Sequence, residues 1–456
     1  MAGVVGGSSI DVNSLVSQLV AAERKPLDDQ LARAVVKNTT QISATSALLG
    51  ALSSFQSTLN SLKTTNVFSG RSTTSSNEDI VTATASANAA PGSYDVEVER
   101  LATAQQISST AFAGGATTVV GSGTLTISLG GTSFSVGVAD PANTLADIRN
   151  AINSATGNPG VSASIINAAD GAHLVLTSTK TGAANAIQVT QTGTLSALEY
   201  TPTNQANYTQ LRPAQDALVN VAGYPTTSAT NSVTGVIDGV TLNLESAADN
   251  TTVSITVGYD ETKAKDKIKS FVTAYNTLRG MMTRLGGYDA ASGSAGPMLG
   301  DSILSGIDAE LRRTLWNPVT EAGPAMQTLA SIGINSSPKD GTLTIDDTKL
   351  DAALGSNFDG VARLFGSPET GVAAKLYGQI EDRLADGAAI DTRNKTLQAE
   401  QKALTKKKDD IDLRMSIVQQ TYLKQFTRLD TLLSSLSATS AYLSQQIDSL
   451  PSWSRD

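Results

Sequence analysis

The C-terminal part of the chain, residues 397–450, reads LQAEQKALTKKKDDIDLRMSIVQQTYLKQFTRLDTLLSSLSATSAYLSQQIDSL. Apolar side chains recur in it every seven residues on two registers, four residues apart. The first register holds Leu397, Leu404, Ile411, Val418 and Leu432, and the second holds Met415, Tyr422, Leu429, Leu436, Leu443 and Leu450. This spacing is typical of a coiled-coil seam. It predicts one continuous helix of roughly 80 Å, at 1.5 Å per residue.

The N-terminal part carries a second helical pattern, from about Asp11 to Lys63. Its apolar positions include Leu31, Val35, Ile42, Leu49, Leu52 and Leu59. The polar residues at its seam positions are Asn38, Thr45 and Gln56. Polar seam residues fix the register of a helix pair at some cost in stability. Pro26 is expected to end or kink the first helix near Lys25, because proline lacks an amide donor and clashes with the preceding turn.

A third helical pattern follows the middle of the chain, where Asp260 is expected to cap a helix through Leu285. Its apolar face comprises Ile268, Phe271, Tyr275 and Leu278. The Gly- and Ser-rich stretch 286–300 should end this helix. Shorter helices are predicted at Ile303–Trp316 and Leu350–Phe365, with the strand-like stretch Thr342–Ile345 between them.

The middle of the chain, from about Phe68 to Val257, alternates apolar and polar residues as strands do. Gly130-Gly131 predicts a tight hairpin turn between two such runs. Within this region one helix is expected at Thr144–Ser154, with Thr144 as its cap. The remaining predicted strands are Tyr94–Val98, Val161–Ile165 and His173–Ser178, and a last hairpin pairs Val240–Leu244 with Val253–Val257.

These patterns predict an α+β multidomain fold, in which both termini form a helical coiled-coil leg and two inserted domains form a β-rich head. The predicted divisions are 1–40 with 418–456 (terminal helical segments), 41–75 with 261–417 (leg domain), 76–115 with 205–260 (first head domain) and 116–204 (second head domain, inserted in the first). The predicted leg core comprises Ile42, Leu49, Leu52, Leu59, Ile268, Phe271, Tyr275, Leu278, Leu404, Ile411, Met415 and Tyr422.

The apolar stripes at the two ends have two possible interpretations, core packing within one subunit or docking between molecules. The stripes are diluted by Ser and Gln, which weakens an isolated helix and favours folding against a partner. We therefore favour intermolecular docking. The predicted docking residues are Leu15, Val16, Leu19, Val20, Leu429, Leu436, Leu443 and Leu450.

Composition excludes several classes of function. The 456 residues include 33 basic and 42 acidic side chains, so a net charge of −9 argues against a nucleic-acid surface. With no cysteine and a single histidine, thiolate metal sites, Cys nucleophiles and Ser-His-Asp relays are not expected. No run approaches the ~20 apolar residues of a membrane span. The first basic residue is Arg24, so no cleaved signal peptide is expected.

Four local motifs have a functional and a structural interpretation each, and the structural one is favoured throughout. Gly300-Asp301-Ser302-Ile303 resembles an esterase nucleophile block but lacks its downstream histidine, so Asp301 or Ser302 is expected to cap a helix. His173 is expected to be a strand residue. Asp340-Gly341 with Asp346-Asp347 lacks calcium-loop spacing, and predicts a turn and a helix cap at Asp347. Lys406–Lys408 with Asp409-Asp410 is expected to be a solvated face. No catalytic residue, metal site or cofactor is predicted.

Motifs along the chain resemble those of one family in their order. They are Ser9–Glu23 with Pro26-Leu27, Pro91–Val98 with Leu101-Ala102, Thr144–Asn153, Val272 with Tyr275-Asn276, and Asp340–Leu343. Together they resemble the flagellar filament cap protein family, also called flagellar hook-associated protein 2. The Thr144–Asn153 stretch is also similar to a small repeat of flagellin and hook-associated proteins.

The resemblance implies a non-enzymatic protein, exported unfolded through the flagellar type III apparatus and located extracellularly at the filament tip. Members assemble as a ring-shaped homo-oligomer, often a pentamer, whose plate of heads retains exported flagellin and promotes its folding and polymerisation. The implied partners are further copies of the chain, flagellin, the hook–filament junction proteins and a cytoplasmic export chaperone, with host glycans as an additional candidate. Alternative functions are a hook–filament junction protein and a surface adhesin.

Overall fold

The computed structural model describes residues 11–290 and 293–449. The helices of this part are α1 (Val12–Asn60), α2 (Leu145–Ser154), α3 (Glu261–Gly286), α4 (Ser302–Trp316), α5 (Asp347–Gly366), α6 (Val372–Leu384) and α7 (Ala389–Asp448). The chain divides into two compact units, one of residues 1–65 with 265–456 and one of residues 66–264. We call the first the helical unit and the second the β unit. The fold is an α+β multidomain fold, as the sequence predicts.

The strands alternate with short connections along the β unit, and two small hairpins lie in the helical unit. The strands are β1 (Arg71–Ser75), β2 (Val81–Ala85), β3 (Gly92–Arg100), β4 (Ala104–Ser109), β5 (Gly123–Leu129), β6 (Thr132–Val138), β7 (Val161–Ala168), β8 (Gly171–Thr181), β9 (Gln188–Gln191), β10 (Tyr208–Arg212), β11 (Ala217–Val221), β12 (Tyr224–Ser228), β13 (Ser232–Ile237), β14 (Val240–Leu244), β15 (Thr252–Tyr259), β16 (Tyr288–Asp289), β17 (Ser294–Ala295), β18 (Ile334–Ser336) and β19 (Leu343–Ile345).

The helical unit is built on α1, which packs along α7 and against α6. An aromatic cluster joins the other long helices to it. The Phe55 ring of α1 lies 6.0 Å from Phe271 and 6.1 Å from Tyr275 of α3, and Phe271 lies 5.5 Å from Phe365 of α5. Edge-on and tilted ring pairs at these distances are favourable beyond the area that they bury. Residues from both ends of the chain therefore share one helical core.

The first core of the β unit lies between a five-stranded sheet, ordered β1-β15-β3-β11-β12, and a three-stranded sheet, ordered β13-β14-β2. In each strand, alternate side chains point into the core. Examples are Val96 and Val98 of β3 and Val253 and Ile255 of β15. This is the alternation expected of sheets that face a core on one side.

The second core of the β unit lies between a four-stranded sheet, ordered β10-β4-β8-β7, a three-stranded sheet, ordered β6-β5-β9, and α2. The hairpin turn at Gly130-Gly131 has positive φ at both residues, as a type I′ turn requires. Helix α2 begins with a capping box, in which the Asp147 amide donates to Thr144 Oγ1 and the Thr144 amide donates to Asp147 Oδ2. Both local predictions are confirmed.

The boundaries predicted at 115 and 205 do not separate the two cores. Ile107 of β4 and Tyr208 of β10 belong to the second core, whereas Ala102 and Ala217 belong to the first. The change therefore falls just before β4 and just after β10. The reason is that β4 and β10 pair with each other, so that both strands belong to one sheet.

The predicted hairpin of Val240–Leu244 with Val253–Val257 is wrong. Strand β14 pairs with β13 and β2, and β15 pairs with β1 and β3, so the two strands lie in different sheets. Their connection crosses from one sheet to the other instead of turning back within one. Both strands show the same alternation because the two sheets face one core.

The helix end predicted near Lys25 is also wrong, because α1 runs without interruption from Val12 through Pro26 to Asn60. Contacts with α7 hold the helix on both sides of the proline, through the apolar side chains of Val20 and Leu27. The carbonyl that loses its helical donor belongs to exposed Ala22, where water can satisfy it. Packing thus outweighs the local preference.

Two further expectations need correction in the helical unit. The N-cap of α5 is Asp346, whose side chain accepts from the Lys349 amide, and not Asp347. The predicted helix Leu350–Phe365 is also not regular, because Asn357 has non-helical backbone angles. The Asn357 side chain accepts from the Gly360 amide at 2.9 Å and so restarts the helix after the kink.

Candidate interaction surface

The interface between α1 and α7 joins the two ends of the chain in antiparallel order. Its buried core comprises Leu31, Ile411 and Met415. Asn38 Nδ2 donates to the carbonyl of Leu397 at 3.2 Å, near the start of α7. Farther along α7, Tyr422 Oη donates to the Glu23 carboxylate at 3.3 Å. As residue numbers increase along α1, the residue numbers of its contacts on α7 therefore decrease.

A chain of ion pairs crosses this interface. Arg24 of α1 pairs with Asp28 of its own helix and with Asp412 of α7, and Asp412 also pairs with Lys408. Lys408 and Arg24 hold the pKa of the Asp412 carboxyl below its usual value, and Asp28 and Asp412 raise the pKa of Arg24. These side chains are more than one-third exposed, so they fix the register of the two helices more than they stabilise them.

Beyond the α1 contacts, the seam of α7 continues with nothing packed over it among the described residues. Leu429, Leu436 and Leu443 follow Met415 and Tyr422 on the same heptad register, yet Leu436 is 56% and Leu443 54% exposed. Leu432, Leu433 and Ile447 widen the same stripe and are exposed as well. Every described residue from 431 to 449 is exposed. We call residues 429–447 the distal stripe of α7.

The predicted docking residues near the N-terminus differ from one another in exposure. Val16 is 1% exposed and Leu19 38%, while Leu15 and Val20 are half-buried. Val20 packs against the α1–α7 core, so it serves contacts within the chain. Leu450 lies outside the described residues. The distal stripe is thus the larger exposed apolar surface of the two helical ends.

The structure brings most of the predicted leg core together. Leu52, Leu59, Ile268, Phe271, Tyr275 and Leu278 are buried, as are Ile411 and Met415. Ile42, Leu49, Leu404 and Tyr422 are only half-buried. The buried face also uses Leu48 and Phe55 of α1 and Leu62 just after it, which the predicted leg core leaves out. The sequence does contain the helical pattern that indicates them, because these three residues alternate with Leu52 and Leu59 at spacings of three and four.

Comparison with known proteins identifies the family. The N-terminal model of flagellar hook-associated protein 2 matches residues 8–105, and its C-terminal model matches residues 214–438. The flagellin hook IN motif matches residues 124–180. The B-type flagellar hook-associated protein 2 of Pseudomonas aeruginosa is 33% identical, over 99% of this chain and 98% of its own length. The chain belongs to the flagellar hook-associated protein 2 family.

Other members of the hook-associated protein 2 family give the same result. The Escherichia coli K12 protein of that name is 33% identical, over 97% of both chains. The crystal structure of the D1-D2-D3 domains of the E. coli flagellar cap protein FliD has a TM-score of 0.61 and 32% identity. It covers 78% of this chain and 99% of the E. coli chain. The resemblance predicted from the motifs is therefore confirmed.

In this hook-associated protein 2 family member, the esterase-like motif forms a helix start. The Asp301 carboxylate accepts from the amides of Ile303 and Leu304, and Ser302 is the first residue of α4. The Asp340 side chain accepts from the Thr342 amide and hydroxyl, which lowers its pKa to about 2. Lys406, Lys407, Asp409 and Asp410 are exposed, as predicted for a solvated face.

The single histidine links two strands and a turn of the β unit. His173 Nδ1 donates to the Ser109 carbonyl at 2.7 Å, and Nε2 donates to the Asp170 carboxylate at 3.1 Å. Both contacts favour the protonated ring and raise the pKa of His173.

Among the described residues, no group of three or more His, Asp or Glu side chains is arranged to hold a metal ion. None of the described helices combines the length and apolar character that crossing a membrane requires.

Proposed function

We propose that this protein caps the distal tip of a bacterial flagellar filament. In this proposal a ring of identical subunits, a pentamer, retains exported flagellin and promotes its folding and polymerisation. Family membership supports a cap, because the related E. coli FliD structure is that of a flagellar cap protein. The observation that carries the proposal is the distal stripe of α7, an exposed apolar surface that continues an internal helix seam.

The distal stripe is suited to docking on other helices. In water a row of exposed leucines on one helix face is unfavourable, and contact with a second apolar face removes that surface from water. The stripe keeps the heptad spacing of the α1–α7 seam, so a partner helix can pack on it with the same geometry. We propose the filament end and the helices of neighbouring subunits as its partners, with Leu15 and Leu19 contributing from α1.

The remaining parts of the proposal follow the family. We propose that the protein is exported through the flagellar type III apparatus with the help of a cytoplasmic chaperone, and acts outside the cell as a structural protein without catalysis. The hook–filament junction proteins and host glycans are further proposed partners. The division of the helical unit into terminal segments (1–40, 418–456) and a leg (41–75, 261–417) stays a prediction.

A deletion strain tests the proposed function. We expect cells without the gene to release unpolymerised flagellin into the medium, because nothing retains subunits at the tip. The measurement is the amount of soluble flagellin in the medium, together with filament length by electron microscopy. Full-length filaments in the deletion strain would contradict the proposal. A specific label near the cell instead of at the distal tip would support a junction protein.

A substitution on the distal stripe tests the docking surface. Leu443→Asp places a charge on a face that must be buried on docking, which is costly, so we expect flagellin release as in the deletion strain. The matched control is Gln445→Asp, which places the same charge on the opposite face of α7. We expect this control to cap filaments normally. Equal loss in both variants would contradict docking through the stripe.

A further inference from the structure

Strand β6 forms an outer edge of the second core of the β unit, in the sheet ordered β6-β5-β9. Its residues, Thr132–Val138, pair with β5 without a register shift. The turn between these strands has two residues, so the pair that closes it is hydrogen-bonded and every second pair after it is not. The backbone groups of Ser133, Ser135 and Gly137 therefore point away from β5. Among the described residues, these amides and carbonyls have no hydrogen-bond partner.

The other three edge strands of the second core are covered or irregular. On β7, the Asn153 side chain of α2 donates to the Ala163 carbonyl and accepts from the Ala163 amide, both at 2.8 Å, as a neighbouring strand would. On β9, Val189 exchanges both backbone hydrogen bonds with Tyr200. On β10, a register shift before Arg212 interrupts the edge. Proteins protect sheet edges in these ways, and β6 has neither kind of protection among the described residues.

The edge of β6 also lacks the charges and prolines that keep other strands away. Residues 122–139, which contain β5, the turn and β6, include no Asp, Glu, Lys, Arg or Pro. The outer face of β6 carries only small groups, because Ser133, Ser135 and Gly137 are exposed there and the alternate side chains belong to the core. A regular, uncharged edge with small side chains can accept a further strand by backbone hydrogen bonds.

The sequence of β6 fits a second copy of itself. In an antiparallel pair centred on Ser135, that residue lies opposite its own copy and Ser133 lies opposite Gly137. Phe134 then lies opposite Val136. The outward backbone groups fall into three residue pairs, and each such pair makes two hydrogen bonds. Small side chains meet small ones on one face of the sheet, and apolar side chains meet apolar ones on the other.

We infer that two copies of this chain pair through β6 and join their three-stranded sheets into one continuous sheet. Both copies use the same strand, so the contact is two-fold and closes after two chains. A two-fold contact cannot generate a ring of five, so this pairing is separate from the ring of the proposed function. It uses neither the distal stripe nor α1. It also covers an edge that otherwise accepts extended segments without selection.

Disulfide formation tests the pairing, because the chain has no cysteine and a single introduced thiol reports on it. In the register centred on Ser135, the Cα atoms of this residue and its copy lie about 5.5 Å apart, within the range that a disulfide spans. We expect the full chain with Ser135→Cys to form a disulfide-linked dimer when it is oxidised with diamide. A band of doubled mass on a non-reducing gel measures it.

The matched control is Ser133→Cys, which changes an exposed serine on the same strand and the same face. In the same register Ser133 lies about 14 Å along the strand from its own copy, too far for a disulfide. We expect no dimer from this variant. Equal dimer formation in both variants, or none with Ser135→Cys, would overturn the inference.

Hydrogen exchange of the full chain gives a second readout without a new thiol. We expect the amides of residues 132–138 to exchange more slowly, by on the order of tenfold, as the protein concentration is raised. Ser135→Lys places like charges opposite each other across the two-fold axis and should remove this dependence. Thr190→Lys, at an exposed position of β9 in the same sheet, is the control and should keep it.

Slow exchange of residues 132–138 at every concentration would mean that another part of the same chain covers β6, and would overturn the inference. A concentration dependence that survives Ser135→Lys would overturn it as well. The deletion strain tests the proposed cap without reference to β6, so failure of this inference is distinguishable from failure of the proposed function.

Discussion

The carboxylate of Asp301 has a structural role, although its sequence context resembles an esterase motif. It caps α4 through two backbone amides and pairs with Arg393 of α7 at 3.1 Å, with only 8% of its side chain exposed. The neighbouring Ser302, which resembles an esterase nucleophile, is the first residue of the helix. Within Gly300-Asp301-Ser302, the aspartate therefore stabilises the start of a helix and the serine needs no role.

A pair of alanine substitutions separates these two residues. Asp301→Ala removes a helix cap and should lower the free energy of unfolding of the helical unit by about 1–2 kcal/mol. Ser302→Ala should change it by less than about 0.5 kcal/mol. Urea unfolding of the full chain followed by circular dichroism measures both. A larger loss for Ser302→Ala than for Asp301→Ala would contradict this interpretation.

His173 offers a direct measurement at the residue scale, because the chain holds one imidazole. The Ser109 carbonyl and then the Asp170 carboxylate raise its pKa above the ordinary 6.5. We expect its single Hε1 proton resonance to titrate above that value, and Asp170→Asn to lower the midpoint. A midpoint at or below 6.5 in the unmodified protein would contradict the two contacts.

The same contacts set a pH dependence of stability. Because the folded pKa of His173 is raised, its contribution is fully present below the unfolded pKa and is lost as the pH rises through the folded value. The β unit should therefore melt at a lower temperature at about pH 8.5 than at about pH 6. In a His173→Phe variant this difference should shrink, and an unchanged difference would contradict the assignment to His173.

At the scale of elements, period and spacing predicted most of the helices but not α6, and they predicted strand partners less well. The heptads of α7 and the three-and-four spacing of α3 are local properties, so the sequence alone was enough to find them. The partners of β14 and β15 depend on which sheet each strand joins, which no local pattern encodes. Pro26 illustrates the same limit, because contacts between α1 and α7 decide its outcome.

The sequence predicted the distal stripe as a row of apolar positions available for docking between molecules, but it did not predict where along α7 the exposed part begins. Leu404 and Leu436 belong to the same periodic pattern, yet only the first has α1 beside it. The difference depends on where the partner helix ends. Likewise, the sequence predicted Asn38 at the seam but not that its Oδ1 atom is buried without a hydrogen-bond partner.

That unpaired oxygen gives a prediction for the α1–α7 pair. Asn38 is 1% exposed, and the side-chain oxygens of Asn394 and Gln401 on α7 are also buried without partners. Replacing Asn38 by leucine removes one such group, so Asn38→Leu should raise the free energy of unfolding by about 1 kcal/mol. Thermal unfolding measures the change, with Thr39→Leu at an exposed neighbour as the control. A lower melting temperature for Asn38→Leu would contradict the prediction.

At the scale of the whole molecule, the β unit has its own cores and its two ends meet. Strand β1 begins five residues into the unit and pairs with β15 near its end, with Arg71 opposite Tyr259. The two buried clusters of residues 66–264 draw only on residues of that segment. The segment thus has what an independently folding domain requires.

We therefore expect residues 66–264 to fold when expressed alone. The fragment should give a dispersed amide proton spectrum and one or two cooperative thermal transitions, with a single His173 resonance at the position seen in the full chain. The control is the full chain under the same conditions. A collapsed spectrum without dispersion would contradict the independence of the two cores.

The chain enters the second core through β4 and leaves it through β10. These two strands are hydrogen-bonded neighbours, with Tyr208 opposite Ser109. A segment whose two ends lie side by side can be replaced by another domain without moving the chain before and after it. Replacing residues 104–212, β4 and β10 included, with another fold of the same spacing between its ends leaves the first core in place, because Thr103 and Gln215 pair just outside this segment. Insertions, deletions and outright replacement between these strands should accumulate in evolution faster than changes in the helical core, and the same junction is where a foreign domain can be grafted.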